Sequence, residues 1–180
     1  MIYQPAEDSY LMSQILKEKL PKLLNENPEL KFLEIGAGSG IHLETAKKLG
    51  VKNIFSSDIN PRAVSHCSLL GFHCIKSDLF EKIKEKFNLI IFNPPYLPED
   101  SREPKDSQTA TTGGKKGTEI ILKFLQQAKS HLEKNGKIFL ITSSLSEKIN
   151  FKKLGYNSKE IGCEKLFFER LYIWELEKLS

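Results

Sequence analysis

The sequence predicts an α/β fold with a mostly parallel, seven-stranded sheet and helices on both faces. Three observations lead to this prediction. Short apolar segments alternate with segments of helical periodicity along the 180 residues. Turns rich in glycine or proline separate them. The last two β-rich segments have no long helix between them, which predicts an antiparallel hairpin at one sheet edge. A chain of this length can bury a sizeable core, so we expect one domain over residues 1–180.

The first half of the chain contains three predicted strands and three predicted helices. An N-terminal arm leads into an amphipathic helix over residues 5–24. Gly50 ends the second helix, and Pro61 occupies the first position of the third, where its missing N–H costs nothing. The predicted strands are 31–36, 52–58 and 72–76, and the two later helices are 40–49 and 61–70.

The second half begins with a strand at 87–92, which ends at an Asn-Pro-Pro sequence because proline cannot continue a central strand. A helix is expected from about Gly117 to Glu133, ended by Asn135-Gly136. The aromatic residues of 166–174 are expected in the core. The remaining predictions are a strand at 137–142, a short helix at 145–154, and strands at 157–163 and 166–176.

Composition excludes several classes of protein. No apolar run approaches the roughly 18–20 residues of a membrane span. The N-terminal sequence MIYQPAEDSY lacks the features of a signal peptide, and three cysteines without CxxC spacing indicate a reduced, cytoplasmic protein without its own metal site. A net charge of +4 is small for a dedicated nucleic-acid binder, so direct nucleic-acid binding is not expected.

Polar and glycine residues follow four of the predicted parallel strands. The carboxyl ends of such strands form the ligand site of an open α/β sheet. The glycine-rich sequence EIGAGSG (34–40) ends the first strand, and its spacing is not the GxGxxG of dinucleotide binders. Asp58 lies about 20 residues further on at the end of the second strand, where an acidic residue accepts hydrogen bonds from ribose hydroxyls. Asp78 follows the third strand, where a carboxylate can accept from an adenine amino group. The predicted ligand-binding residues at these strand ends are Glu34, Gly36, Gly38, Gly40, Asp58, Asn60, Asp78 and Leu79.

Four stretches carry a resemblance to a known family. EIGAGSG with Asp58 and Asp78 resembles the S-adenosylmethionine site of class I methyltransferases. NPPY (93–96) resembles the catalytic motif of those that methylate a planar amino nitrogen. YQPAEDSYLM (3–12) and TGGKKGTEII (112–121) resemble the HemK-like release-factor glutamine methyltransferases, and among these the short archaeal and eukaryotic branch.

The resemblance implies a Rossmann-like class I methyltransferase fold, S-adenosylmethionine as cofactor, and N5-methylation of a glutamine in the GGQ loop of a translation termination factor. It implies that Ser9 contacts the methyl donor, and that the arm covers the pocket. Glu34 is expected to accept either from the donor's amino group or from nearby backbone. The resemblance also implies a small zinc-binding activator subunit docked on a sheet edge.

The chemistry of an amide gives the NPPY residues their expected roles. The side-chain oxygen of Asn93 and the carbonyl of Pro94 can accept the two N–H bonds of a planar amino group and hold its nitrogen in place. Pro94 and Pro95 stiffen the turn, and Tyr96 can lie against the flat face of the target. Asn93 also borders the donor. The loop at 97–116 is expected to recognise the substrate.

Three alternatives remain open at this point. The NPPY motif also permits N6-methylation of adenine in DNA or RNA, although a base in a duplex must first be extruded. Lysine methylation is a further candidate, but an ammonium group makes poorer use of two acceptors. A non-catalytic binding subunit would have no need of the NPPY geometry.

Overall fold

The computed structural model describes residues 2–97 and 112–179, which form seven strands and four helices. The bounds confirm most of the predicted elements to within one or two residues. The strands are β1 (Lys31–Ile35), β2 (Asn53–Asp58), β3 (His73–Lys76), β4 (Phe87–Phe92), β5 (Leu132–Ser143), β6 (Tyr156–Lys165) and β7 (Arg170–Lys178). The helices are α1 (Glu7–Glu26), α2 (Ile41–Lys48), α3 (Pro61–Leu69) and α4 (Glu119–Ala128).

All seven strands belong to one sheet in the order β3-β2-β1-β4-β5-β7-β6. Strands β1 to β5 pair in parallel, whereas β7 runs antiparallel to both β5 and β6. The predicted antiparallel edge hairpin is therefore confirmed. The order of the strands reverses between β1 and β4, and the crevice beyond their carboxyl ends is where such sheets bind ligands.

Each face of the sheet carries its own apolar core. Neighbouring residues of a strand point to opposite faces, so Phe32 packs with Met12 of α1 and Leu43 of α2, whereas Leu33 packs with Phe124 of α4. Tyr96 contacts both cores and so fixes the turn after β4 between them. Within the ranges that the structure describes, no helix is long and apolar enough to cross a membrane.

The predicted helix at 145–154 is wrong, because this segment consists of turns and irregular backbone. Its two ends are held by tertiary contacts. The Ser146 hydroxyl donates to the carbonyl of Tyr96 at 2.6 Å. The ring of Phe151 is buried against Trp174, with their ring centroids 5.3 Å apart. These anchors override the helical preference of the intervening residues.

The helix predicted over 117–133 is shorter than expected. Helix α4 ends at Ala128, a 3₁₀ turn follows at Lys129–His131, and β5 already begins at Leu132. The pairing with β4 jumps from Phe87↔Leu132 to Leu89↔Lys137, so the expected stop signal Asn135-Gly136 lies within an irregularity of the strand. Pairing between strands, which helical periodicity does not reveal, decides this boundary.

The aromatic residues of 166–174 are only partly in the core. Tyr172 and Trp174 are half-buried, as a strand packed on one face requires. Phe167 and Phe168 instead lie in the turn between β6 and β7 and are 91% and 84% exposed, so the prediction is wrong for them. Their rings pack edge to face with centroids 4.6 Å apart. An exposed aromatic pair of this kind is a candidate contact surface.

Candidate active site

A cavity of about 600 Å³ opens at the carboxyl ends of the parallel strands. Its walls come from the N-terminal arm, the glycine turn after β1, the ends of β2 and β3, the NPPY turn after β4 and the turn between β6 and β7. Twelve predicted site residues line it: Ser9, Glu34, Gly36, Gly38, Asp58, Asn60, Asp78, Leu79, Asn93, Pro94, Pro95 and Tyr96.

Gly40 is the predicted site residue that the structure places elsewhere. It precedes α2 with φ +79°, a conformation that favours glycine. A β-carbon there would meet the Leu70 side chain at 3.2 Å and Cys67 Sγ at 3.5 Å. Gly40 therefore lets the start of α2 pack closely against α3 and does not line the cavity.

Asp58 organises the floor of the cavity through its two carboxylate oxygens. Oδ2 accepts from the backbone N–H of Gly38 at 2.9 Å, and Oδ1 accepts from the backbone N–H of Asn60 at 2.8 Å. Burial raises the pKa of Asp58, and these backbone N–H groups oppose the rise. The side chain of Asn60 caps α3 by accepting from the backbone N–H of Arg62 at 3.0 Å. Asp58 thus joins the glycine turn to the start of α3.

The wall formed after β3 carries an ion pair. Asp78 Oδ2 accepts from Lys123 Nζ of α4 at 2.6 Å, and both side chains are about half exposed. The next residue, Leu79, is buried and has φ +48°, the left-handed conformation that non-glycine residues rarely adopt. Lys123 is a cavity residue that sequence reasoning missed, because nothing in the periodicity of its helix marks it as different.

A buried cluster at the end of β1 joins the strand to the N-terminal helix. His42 Nδ1 lies 2.6 Å from Glu34 Oε1, and His42 Nε2 lies 3.0 Å from the backbone oxygen of Ser9. All three residues are buried and line the cavity. Glu34 Oε2 is also buried and has no hydrogen-bond partner among the described residues. The sequence pattern gave His42 no role in the site.

The NPPY turn holds an acceptor without a partner. Asn93 Oδ1 is buried and accepts no hydrogen bond from residues 2–97 or 112–179. A buried acceptor of this kind costs stability unless a ligand satisfies it. Two bonds fix Tyr96, because its hydroxyl donates to Asp8 Oδ2 at 3.3 Å and its carbonyl accepts from Ser146.

Asp8 connects the arm to this turn, and sequence reasoning did not include it among the site residues. Its carboxylate accepts from the hydroxyl of Tyr3 at 3.0 Å and from the backbone N–H of Ser9 at 2.6 Å, as well as from Tyr96. Burial, reinforced by the Asp8 carboxylate, raises the pKa of both tyrosines well above the usual range, so both act as hydrogen-bond donors.

The glycines of TGGKKGTEII (112–121) pack directly on the NPPY turn. A β-carbon at Gly113 would lie 2.5 Å from the backbone oxygen of Pro95 and 2.6 Å from that of Gly117. The N–H of Gly113 donates to the carbonyl of Leu97 at 2.9 Å. The carboxylate of Glu119 accepts from the backbone N–H groups of Lys116 and Thr118, both at 3.1 Å. This segment therefore packs against the NPPY turn and limits its movement. Residues 98–111 of the predicted substrate loop lie outside the described residues.

The cavity suits a nucleoside-containing cation with a polar amino group. Carboxylates lie at the ends of β1, β2 and β3, and glycine backbone borders the space between them. Two buried oxygens without partners among the described residues, Glu34 Oε2 and Asn93 Oδ1, belong to residues of the same cavity. Each needs a donor that a ligand or a substrate can supply. S-adenosylmethionine, with its amino group and its sulfonium, fits this set of residues.

Comparison with known proteins agrees with this chemistry. The profile of the methyltransferase small domain family matches residues 11–157. A Methanocaldococcus jannaschii protein, whose proposed activity is that of a protein N5-glutamine methyltransferase, is 37% identical over 97% of this chain and 92% of its own length. The eRF1 methyltransferase catalytic subunit mtq2 of Schizosaccharomyces pombe is 32% identical over 78% of this chain and 71% of its own length.

A solved structure of similar size has the same fold. It is the Mtq2–Trm112 complex of E. cuniculi, described as responsible for the methylation of the eRF1 translation termination factor. The matched chain superposes with a TM-score of 0.72 at 26% identity, and the match covers 98% of each chain.

Proposed function

Because the chain belongs to the methyltransferase small domain family and, within it, to the HemK-like glutamine methyltransferases, we propose that it methylates N5 of a glutamine side chain in a protein. Its methyl donor is S-adenosylmethionine. The observation that carries the substrate proposal is the Asn93 oxygen, which lies buried in the cavity wall without a partner in the described ranges. The N–H group of a primary amide can donate the missing hydrogen bond to this oxygen.

The role of the chain is to hold an amide nitrogen in place. An amide is a poor nucleophile because its lone pair is delocalised into the carbonyl. Asn93 Oδ1 and the carbonyl of Pro94 accept its two N–H bonds, which orients the nitrogen and favours a less conjugated geometry. Tyr96, fixed by Asp8 and Ser146, lies against the flat face of the amide. The bound donor supplies an electrophilic methyl group on a sulfonium, and the methylated nitrogen then releases its proton to water.

The residues around the glycine turn would hold the donor. Asp58 would accept from the ribose hydroxyls, and Asp78 with Leu79 would contact the adenine. Glu34 and Ser9 are placed for the amino-acid part. Gly36 and Gly38 have no side chain and adopt φ angles of +71° and +51°, so the backbone of this turn can come close to the ligand.

We place the target glutamine in the GGQ loop of a translation termination factor. The names of the S. pombe and E. cuniculi relatives, which refer to eRF1, support this substrate. N6-methylation of adenine remains the second candidate, because an adenine amino group also presents two N–H bonds to Asn93 and Pro94. The small net charge of +4 favours the protein substrate.

A methyl-transfer assay with labelled donor separates these substrates. The acceptors are the termination factor, its variant with the loop glutamine replaced by alanine, and adenine-containing DNA. We expect label on the factor and none on the alanine variant or the DNA. Label on the DNA alone, or equal label on both forms of the factor, would refute the glutamine proposal.

The exposed pair Phe167 and Phe168 is placed to touch a protein substrate. The turn that carries the pair is closed by the N–H of Leu166, which donates to the carbonyl of Glu169 at 2.8 Å, and these two residues line the cavity. The backbone N–H of Arg170 donates to the hydroxyl of Ser144 at 2.9 Å and fixes the turn to the end of β5. The aromatic pair therefore continues the rim of the cavity.

Replacing both phenylalanines with serine is expected to raise KM for the termination factor about tenfold, since interface aromatics supply much of the binding free energy. The rate with a short glutamine peptide, which does not reach the rim, should stay unchanged. Leu179→Ser removes an exposed apolar side chain at another place and serves as the control. An unchanged KM for the factor in the double variant would exclude the rim as a docking surface.

We further propose that a small zinc-binding subunit pairs with the free edge of β3, since the matched E. cuniculi chain is part of an Mtq2–Trm112 complex. Strand β3 is one of the two edges of the sheet, and exposed apolar side chains precede it, with Leu69 87% and Leu70 37% exposed. The other edge, β6, carries the exposed charged residues Lys159, Glu160 and Lys165, which discourage pairing.

Leu69→Lys is expected to abolish co-purification with a co-expressed Trm112-like subunit, measured by gel filtration of the mixture. A charged side chain placed in an apolar interface must be desolvated without a partner. Lys159→Leu on β6 is the control and should leave the complex intact. A wild-type chain that is fully active and monomeric beside the subunit would contradict the proposal.

A further inference from the structure

His42 lies beside the predicted donor site and has no role in the mechanism described above. It is the second residue of α2 and is 3% exposed. Its two ring nitrogens contact different parts of the chain: Nδ1 lies 2.6 Å from Glu34 Oε1 at the end of β1, and Nε2 lies 3.0 Å from the backbone oxygen of Ser9 in the first turn of α1. One side chain therefore connects the strand, the helix after the glycine turn and the N-terminal helix.

Hydrogen-bond chemistry determines how this cluster is protonated. A backbone carbonyl can only accept, so Nε2 must carry a hydrogen and donate it to Ser9. The contact between Nδ1 and Glu34 then holds one further proton, either as imidazolium with carboxylate or as neutral imidazole with carboxylic acid. In both forms the pair carries no net charge, which makes its burial tolerable.

The contact also determines which Glu34 oxygen remains available. Because Oε1 is engaged by His42, the carboxyl group cannot rotate freely, and Oε2 is left buried without a partner among the described residues. Glu34, His42 and Ser9 all line the cavity. A positively charged amino group that donates a hydrogen bond to Oε2 would satisfy this oxygen. Its charge would also draw the shared proton towards the imidazole.

We propose that His42 is a positioning residue for the methyl donor, because it orients Glu34 so that the free oxygen receives the donor's amino group. The proposal rests on the donor site described above, and it assigns His42 to the amino-acid end of the ligand alone. Asp58, which accepts from the backbone N–H groups of Gly38 and Asn60, is assigned above to the ribose end as part of the proposed donor site.

The pKa shifts in the cluster are consistent with this role. Burial raises the pKa of Glu34. Burial alone would lower the pKa of His42, but the Glu34 carboxylate and the Ser9 carbonyl reverse the effect and raise it. Both shifts favour the protonated form of each group, which agrees with a proton held between Nδ1 and Oε1.

Two ligands distinguish positioning from general structural support. S-adenosylhomocysteine carries the amino group, whereas 5′-methylthioadenosine keeps the adenosine and lacks the amino-acid part. For His42→Leu, we expect the Kd of S-adenosylhomocysteine to rise roughly tenfold to a hundredfold, as for a lost hydrogen bond to a charged group. The Kd of 5′-methylthioadenosine should change by less than about twofold. Calorimetry on the full chain measures both.

Three further variants complete the test. Asp58→Asn should weaken both ligands to a similar extent, since the ribose is common to them. His42→Gln keeps one donor and should show a smaller loss with the same preference, which guards against a folding defect in His42→Leu. Adding His42→Leu to Glu34→Gln should cause little further loss, because both changes disrupt one arrangement.

The two ligands give different expected results for the His42 variants, so the proposal can be refuted. Equal weakening of both ligands by the His42 variants, or unchanged binding of S-adenosylhomocysteine, would overturn the proposal. Neither ligand requires a methyl acceptor, so the result holds even if the chain proves to methylate adenine and the glutamine proposal fails.

Discussion

Replacing Asn93 with alanine is expected to lower the rate of methyl transfer by about a hundredfold to a thousandfold, the typical effect of removing one preorganised hydrogen-bonding group from an active site. The side-chain oxygen of Asn93 lies buried in the cavity wall and accepts no hydrogen bond within the described ranges. Without it, the target nitrogen keeps one acceptor, the carbonyl of Pro94, and can rotate about that single bond. Labelled-donor kinetics with the termination factor measure the loss.

The thermal stability of Asn93→Ala, unlike its activity, should not fall. An unsatisfied buried acceptor costs roughly 1–3 kcal/mol in the free protein. Asn93→Ala removes that cost, so its thermal midpoint should equal or exceed that of the wild type, as at other sites where activity is maintained at the expense of stability. Binding of S-adenosylhomocysteine should persist. Loss of activity with unchanged folding and donor binding would assign the defect to the transfer step.

Two variants serve as controls for Asn93→Ala. Asn93→Asp retains an oxygen acceptor and should keep more activity than the alanine variant. Asn150→Ala makes the same truncation in an exposed turn, where the side chain accepts from the backbone N–H of Lys153 at 3.0 Å, and should be nearly neutral. Wild-type activity in Asn93→Ala would remove the chemical basis of the proposed function.

Gly113→Ala is expected to lower kcat by about a hundredfold, the loss that a 1 Å displacement of reacting groups can cause. A β-carbon at Gly113 would lie 2.5 Å from the backbone oxygen of Pro95 and 2.6 Å from that of Gly117. Both atoms belong to the backbone and cannot rotate away, so the NPPY turn or the 113–117 turn must shift. The carbonyl of Pro94 precedes Pro95 in the same turn and would shift with it.

The matched control for this variant is Gly162→Ala in β6. A β-carbon there would also be too close, at 2.9 Å, but to Cδ1 of the Ile15 side chain, which can change rotamer. This variant should keep nearly full activity. Comparing kcat and the Kd of S-adenosylhomocysteine locates the defect of Gly113→Ala, since only kcat should fall. An unchanged kcat would show that the 113–117 turn does not brace the NPPY turn.

The sequence determined the fold class and most of the cavity wall because both depend on local patterns. Alternating periodicity, the stop at Asn93-Pro94 and the glycines after β1 each leave a signal within a few residues. The parallel order of the strands then brings their carboxyl ends to one edge of the sheet. These local patterns alone predict that Asp58, Asp78 and Asn93 meet at one site, and the structure has all three at the same cavity.

Only the tertiary structure decided the contacts between distant segments. The bonds of His42 to Glu34 and Ser9 and those of Asp8 to Tyr3 and Tyr96 include partners 33 and 88 residues apart. Such partners leave no periodic signal. The same reason explains the incorrect predictions, because the turns at 145–154 and the start of β5 follow from contacts with Tyr96, Trp174 and β4. Local preferences determine most of the elements, but packing between distant residues decides the exceptions, as well as which contacts hold the side chains at the cavity.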